Sequence, residues 1–130
     1  WFKHSDLFVL LQRLVDQPIK VVITTDHGSI QVKRPTRVIG DRATTPNLRY
    51  KMGKNLNYQE RDVYDTTRPA SLHLPQLNVS SRYIFATGDY FFAYPNNYNQ
   101  FVNMYRDSFQ HGGVSLEEMI VPVVTMKGMR

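Results

Sequence analysis

KVVITTDHG, residues 20–28, is an apolar run that ends in a carboxylate, an imidazole and a glycine. The β-branched residues of the run predict a buried strand, and side chains stop alternating between two faces where a strand ends. Asp26 and His27 can therefore converge on one point, while Gly28 allows the chain to turn away sharply. A carboxylate and an imidazole are ligands that suit Zn²⁺ and related ions. The stretch predicts half of a metal site, and a solvated turn is the alternative.

A second histidine lies far downstream, in the stretch FQHGGVSLEEMI at residues 109–120. Ser115 is a predicted N-cap and Glu118, three residues later, completes a capping box, so a very short helix should begin there. Pro122 and its β-branched neighbours end this helix and favour a strand at 121–125. His111 is thereby placed on a glycine-rich loop as a further candidate ligand. The alternative is that the glycines only make a turn and His111 is a bystander.

The rest of the chain alternates helical and extended patterns, which predicts an α/β fold. A helix capped by Ser5 should run to Val15 and stop before Pro18, and it should pack on the sheet through one apolar stripe. The long stretch before Pro69 is rich in turn residues and is expected to be an irregular basic insertion. Further expected elements are strands at 20–25, 30–33, 82–86 and 90–94, a hairpin turn at 87–89, a short helix at 69–72 and a helix from 98 to 109.

The pairing of TTDHGS (24–29) with HGGVSLEEMIVPVV (111–124) resembles the last part of the alkaline-phosphatase superfamily. The intervening segments VKRPTRVIGDR, TTPNLRYKMGKNL and YFFAYPNNYNQFVN look like the PglZ domain, and like its version at the C-terminus of PorX-type response regulators. This resemblance covers essentially the whole chain. It implies that residues 1–130 are the C-terminal portion of such a domain: a partial alkaline-phosphatase-like sheet flanked by helices, with the irregular basic insertion.

The resemblance also implies a centre of two neighbouring divalent ions, usually zinc. Asp26 and His27 match the pair that binds the ion nearest the nucleophile, and His111 matches a ligand of the other ion. The threonine or serine nucleophile and the remaining ligands are expected upstream, so no catalytic residue is assigned in this segment. The segment alone is therefore expected to be inactive.

Three function classes remain open from the sequence. The first is a metal-dependent phosphoryl hydrolase, a phosphatase or phosphodiesterase, that serves as the output module of a two-component response regulator. The second is a non-catalytic signalling domain that binds a partner protein. The third is a metal-free phosphate or nucleic-acid binding module, and the joint presence of Asp26, His27 and His111 argues against it.

A net charge of +5 suits an anionic partner such as a phosphate ester, including a nucleotide. The alternative is a solvated surface without a ligand. Tyr50 and Tyr58 could stack on bases, although no nucleic-acid module surrounds them. We call the cations that form this pattern the basic stripe: Lys33, Arg34, Arg37, Arg42, Arg49, Lys51 and Lys54.

Composition restricts the expected number of domains, the types of metal site and the cellular location. The length fits one small domain, and the chain has no cysteine, which excludes disulfides and thiolate zinc sites. No apolar run approaches the roughly 20 residues that span a bilayer, so no membrane association and a cytoplasmic location are expected. An exposed sheet edge in a shortened domain would favour self-association. His4 and His73 are interpreted as surface or packing residues, and Glu117 and Glu118 as capping groups, with metal ligation the alternative for the glutamates.

Overall fold

A computed structural model describes residues 1–41 and 44–128. The α/β class predicted from the sequence is confirmed, with strands arranged in small sheets and accompanied by short helices. Within the described residues, no helix is both long and apolar enough to cross a bilayer. In chain order the elements are a 3₁₀ helix Phe2–His4, α1 (Asp6–Leu14), β1 (Lys20–Thr24), β2 (Ile30–Gln31), β3 (Arg34–Arg37), β4 (Tyr50–Gly53), a 3₁₀ helix Glu60–Asp62, β5 (Val63–Thr66), a 3₁₀ helix Pro69–Leu72, β6 (Arg82–Ala86), β7 (Tyr90–Ala93), α2 (Tyr98–Tyr105), β8 (Phe109–Gln110), α3 (Leu116–Met119) and β9 (Val123–Lys127).

The first of two compact units comprises two segments of the chain, Trp1–Asp26 and the described residues 121–128. Its strands β1 and β9 pair antiparallel, with Val22 opposite Thr125. The predicted N-cap of α1 is confirmed, because the Ser5 hydroxyl accepts a hydrogen bond from the Phe8 N–H at 3.2 Å. The apolar stripe of α1 faces the two strands across a cavity of about 240 Å³.

Strand β1 is not buried, and the expectation of a buried strand was wrong for the described residues. Val21 and Ile23 are half-buried, whereas Val22 between them is 53% exposed. The reason is that β1 belongs to a two-stranded sheet whose cavity towards α1 involves one face only, the face of Val21. Its neighbour β9 begins at Val123, two residues later than predicted.

The second unit, His27–Ile120, contains the hydrophobic core. β6 is the central strand of an antiparallel sheet with β4 and β5 on its two sides, and β3 pairs parallel with β7. Apolar side chains from both sheets meet between them. The core cluster comprises Val38, Ile84, Ala86 and Phe92.

The predicted hairpin between β6 and β7 was wrong. A tight turn does form there, because the Tyr90 N–H donates to the Thr87 carbonyl at 3.1 Å and Gly88 adopts a φ of +45°. Both edges of β6 are already occupied by β4 and β5, so β7 leaves the turn to pair with β3 instead. The turn connects two sheets and does not close a hairpin.

The supposed irregular insertion contributes two strands, β4 and β5, to the three-stranded sheet. Two cations of this segment, Arg49 and Lys51, are not solvated, because both are fully buried. Two other boundaries also differ. The expected strand at 30–33 is shortened to β2, and a separate strand, β3, follows it. Helix α2 ends at Tyr105 because Arg106 leaves the helical conformation with a ψ of 138°, and Phe109 lies in β8. The short helix at 69–72 forms as predicted.

Candidate metal centre

The imidazoles of His27 and His111 lie face to face, although they are far apart in the sequence. Their ring centroids are 3.8 Å apart and their planes differ by 10°. Both residues belong to the second unit, and both are exposed. Two of the three candidate ligands are thus brought together on one surface.

The two-residue ladder between β2 and β8 accounts for this meeting. Ile30, which follows the His27 turn, pairs with Gln110, the residue before His111. An antiparallel pair places the residues that flank it on the same side, so the ladder sets His27 and His111 next to each other. Gly112 then adopts a φ of +103°, which a glycine accepts without strain, and the chain turns away from the ring.

The His27 ring is held by the backbone of the next residue, Gly28. Nδ1 lies 2.8 Å from the carbonyl oxygen of Gly28. Because a carbonyl can only accept, Nδ1 must carry the proton, and in the neutral ring the lone pair is then on Nε2. An imidazole whose orientation and tautomer are fixed in this way suits a metal ligand.

Gly28 is required by a close approach of its backbone to α3. Its N–H donates to the carbonyl of Glu118 at 2.9 Å. A side-chain carbon at this position would lie 1.8 Å from the carbonyl oxygen of Glu117, a distance that no side chain tolerates. The loop that follows His27 is therefore packed directly against the backbone of α3.

Behind the two histidine loops lies an ion pair between Arg49 and Glu118, whose side chains are 0% and 2% exposed. The pairing is bidentate, with Nε to Oε1 at 2.8 Å and Nη2 to Oε2 at 2.6 Å. Oε1 also accepts from the Gly113 N–H at 2.9 Å, and Oε2 from the Ser115 N–H at 3.1 Å. One carboxylate therefore caps α3 and holds the loop that carries His111.

Burial alone would raise the pKa of Glu118, but hydrogen bonds from Arg49, Gly113 and Ser115 outweigh it and the pKa is lowered. The carboxylate is thus ionised at neutral pH. The predicted capping box is confirmed. The pairing with Arg49 was missed, because the partners are 69 positions apart and nothing in the local sequence distinguishes Arg49 from exposed arginines.

The stacked imidazoles suit two metal ions better than one. A histidine nitrogen binds zinc in the plane of its ring at about 2.0–2.1 Å. Rings that are nearly parallel and 3.8 Å apart cannot both direct in-plane lone pairs at a single ion. The donor set therefore fits a centre in which each histidine serves a different ion.

Asp26, the third candidate ligand, is the last residue of the first unit. It is exposed, and its Oδ1 accepts a hydrogen bond from the Thr25 hydroxyl at 3.4 Å. Among residues 1–41 and 44–128, no three histidine, aspartate or glutamate side chains are gathered closely enough to form a metal site. The described residues thus provide the histidine pair, but not a complete ligand shell.

The other titratable candidates are not part of the stacked pair. His4 and His73 are exposed, and His73 follows a 3₁₀ helix in the left-handed conformation with a φ of +55°. The Glu117 side chain is exposed, whereas its backbone carbonyl faces Gly28. Glu118 is fully engaged by the contacts described above.

The basic stripe is divided by burial. Arg49 and Lys51 are removed from solvent, so the expectation that they attract a ligand was wrong. Arg34 pairs with Asp89 and lies 4.1 Å above the Tyr90 ring, while Arg37 lies 4.7 Å above the Tyr98 ring. Arg42 lies outside the described residues. The exposed members are Lys33, Arg34, Arg37 and Lys54.

Comparison with known families defines the class first: residues 3–126 match the model of an alkaline phosphatase-like domain, which makes this a domain of phosphoesterase type. The chain belongs to the PglZ family, described as the BREX system PglZ alkaline phosphatase-like domain. No curated protein matches the sequence. The family assignment confirms the resemblance to the PglZ domain.

Proposed function

We propose that the chain is the C-terminal portion of a metal-dependent phosphoryl hydrolase domain, a phosphatase or phosphodiesterase. His27 and Asp26 serve the ion on the nucleophile side, and His111 serves the ion on the leaving-group side. The observation that supports this most directly is the stacking of the two imidazoles at 3.8 Å. Membership in an alkaline phosphatase-like family supports phosphate esters as the substrate class.

The residues of this chain have three tasks in the proposed site. The Nδ1–H bond to the Gly28 carbonyl fixes the tautomer and the orientation of the His27 ring, with the lone pair on Nε2. Asp26 adds negative charge to balance the cations, and exposed cations such as Lys33 and Arg37 draw in the anionic ester. When bound, two divalent ions would clamp the phosphoryl oxygens and activate the attacking hydroxyl. Zinc suits the mixture of imidazole and carboxylate donors.

We further propose that residues 1–130 are completed by an upstream part of the domain that supplies the nucleophile and the remaining ligands. The absence of a three-ligand cluster within the described residues is consistent with this division. The resemblance to PorX-type response regulators supports a cytoplasmic output module. Hydrolysis by the full-length protein that does not respond to receiver phosphorylation would argue against this role. Absence of hydrolysis would favour the non-catalytic alternative.

Loss of either imidazole should weaken metal binding. His27→Ala and His111→Ala are each expected to reduce the affinity of the chain for Zn²⁺ by at least about 10-fold, since loss of even an outer-shell partner costs that much. Isothermal titration with zinc measures the effect. His73→Ala is the matched control, because His73 is also an exposed histidine but lies apart from the pair. Equal affinity of all three variants and the wild type would refute the proposal.

The 130-residue chain alone should hydrolyse phosphate esters poorly or not at all. The reason is that the proposed nucleophile is not among its assigned residues. The measurement is release of the aryl alcohol from an activated aryl phosphodiester in the presence of zinc. Robust turnover that Asp26→Ala abolishes would show that the chain contains a complete site.

A further inference from the structure

The loops that carry His27 and His111 are both attached to Glu118, through different atoms. The Gly28 N–H, next to His27, donates to the main-chain carbonyl of Glu118 at 2.9 Å. The Gly113 N–H, two residues after His111, donates to the side-chain Oε1 at 2.9 Å. A single residue therefore bridges the two segments whose imidazoles stack.

Arg49 fixes that bridge in place. Its guanidinium pairs with both oxygens of Glu118, and it also donates to the carbonyls of Gly88, at 2.8 Å, and Tyr90. These two carbonyls flank the start of β7 in the second unit. Arg49 thus fixes the position of Glu118 relative to β7, and Glu118 fixes the positions of the two loops.

We propose that Arg49 and Glu118 are positioning residues for the metal centre, and that their buried ion pair sets the spacing between the His27 and His111 rings. The consequence for metal binding rests on the proposed function. The spacing of the rings is a property of the chain itself and can be measured without any metal.

Glu118 is a positioning residue and not a metal ligand, because both of its oxygens are already occupied. Oε1 already accepts from the Arg49 Nε and the Gly113 N–H, and Oε2 from the Arg49 Nη2 and the Ser115 N–H. A carboxylate oxygen with two donors has little capacity left for an ion. Glu118 can influence the histidines only through the loops that it holds.

The two histidine loops pack closely against Arg49 and the α3 backbone, so a displacement of the ion pair should be transmitted to the loops. A side-chain carbon added at Gly113 would lie 2.6 Å from the Arg49 Nη2 and 2.7 Å from the Ala86 carbonyl oxygen. One added at Gly28 would meet the Glu117 carbonyl oxygen, as described above. The loop of Gly113 packs against Arg49 itself, and the loop of Gly28 packs against the backbone of Glu117 and Glu118, so a shift of Glu118 is expected to reach both loops.

The test uses NMR of the histidine ring protons in the metal-free chain. Stacked rings shield each other, so the His27 and His111 signals should be shifted upfield in the wild type, and His27→Ala should move the His111 signals back. Glu118→Gln keeps the size of the side chain but cannot accept from two Arg49 donors and two N–H groups at once. It is expected to abolish the mutual shielding while the backbone signals of β6 remain dispersed.

Two further variants are needed, one in case Glu118→Gln unfolds the chain and one as a control. Arg49→Met combined with Glu118→Met removes both charges, so it stays folded if the single change does not, and it too should lose the shielding. Asp65→Asn is the matched control, because Asp65 forms an ion pair with Arg82 at 3.5 Å on an exposed part of the sheet. It should leave the histidine signals unchanged.

The outcomes separate the two proposals. Shielding that persists in folded Glu118→Gln or in the double variant, or that is absent from the wild type, overturns the positioning role. Loss of shielding together with a roughly 10-fold loss of Zn²⁺ affinity supports both proposals. Loss of shielding in a chain whose Zn²⁺ affinity is unchanged by His27→Ala and His111→Ala supports the positioning role and refutes the proposed function.

Discussion

Arg49→Met is expected to lower the free energy of unfolding by about 3–5 kcal/mol, because it leaves the buried carboxylate of Glu118 without its partner. Glu118→Met should cost a similar amount by leaving the guanidinium uncompensated. Both side chains are almost fully removed from water, so neither charge can recover its hydration without opening the core. Urea unfolding followed by far-UV circular dichroism measures the loss. We prefer this signal because the single tryptophan, Trp1, belongs to the first unit.

The double variant should cost far less than the sum of the two single changes. Two methionines remove both charges, and replacement of a buried ion pair by apolar side chains is often neutral. Some loss will remain, because the Gly88 carbonyl and the Gly113 N–H lose hydrogen bonds. The exposed pair of Asp65 and Arg82 is the control, and Asp65→Asn should cost no more than about 1 kcal/mol. Additive effects in the double variant, or single losses as small as the control, would contradict this account.

Local signals in the sequence were sufficient for the elements they describe. Ser5 caps α1, Ser115 and Glu118 form the capping box of α3, and Pro69 begins a short helix, all as predicted. Each of these features depends on residues within one helical turn of each other. The energies involved are local, so they do not change when the rest of the chain is arranged around them.

The predictions that failed depended on partners distant in the sequence. The hairpin signal at Thr87–Asp89 was correct about the turn, but pairing was decided by β4 and β5, which had already occupied both edges of β6. Arg49 was taken for a surface cation because its only distinguishing feature is a carboxylate 69 residues away. Burial of a charge depends on its partner, and single-sequence patterns do not contain that information.

Local patterns identified His27 and His111 as separate candidate ligands, and the family resemblance assigned them to one metal centre. The ladder that joins the two segments, between Ile30–Gln31 and Phe109–Gln110, is two residues long on each side. Such short strands have no periodicity to read. The glycines were interpreted as turn residues, whereas the close approach of Gly28 to α3 becomes visible only in three dimensions.

Lys51 provides the second large expected effect, a dependence of stability on alkaline pH. The side chain is fully buried in β4, and burial lowers its pKa from 10.5 to about 8. Its ammonium contacts neutral groups: the Thr45 carbonyl at 2.9 Å, the Tyr94 hydroxyl at 3.2 Å and the Tyr94 ring at 4.4 Å. The folded chain therefore favours the uncharged amine more strongly than the unfolded chain does.

The sign of the effect follows from proton binding. Between pH 8 and 10.5 the unfolded chain retains a proton on Lys51 that the folded chain has largely released. Stability must then rise with pH across this window. The full difference corresponds to about 3 kcal/mol, of which about 2 kcal/mol should appear between pH 7 and 9.5. Above pH 10 the rise is opposed, because burial raises the pKa of Tyr83 and Tyr94, and unfolding then favours their ionised forms.

Lys51→Met should therefore flatten the pH dependence of the free energy of unfolding. Urea titrations at intervals from pH 7 to 9.5 give the slope for the wild type and the variant. Lys54→Met is the matched control, because Lys54 is an exposed lysine three residues further along and should leave the slope unchanged. If Lys51→Met retains the wild-type slope, the amine is charged and solvated in the folded chain and its burial has no thermodynamic cost. If the slope disappears, the protein carries a buried lysine whose deprotonation stabilises the sheet adjoining the histidine loops.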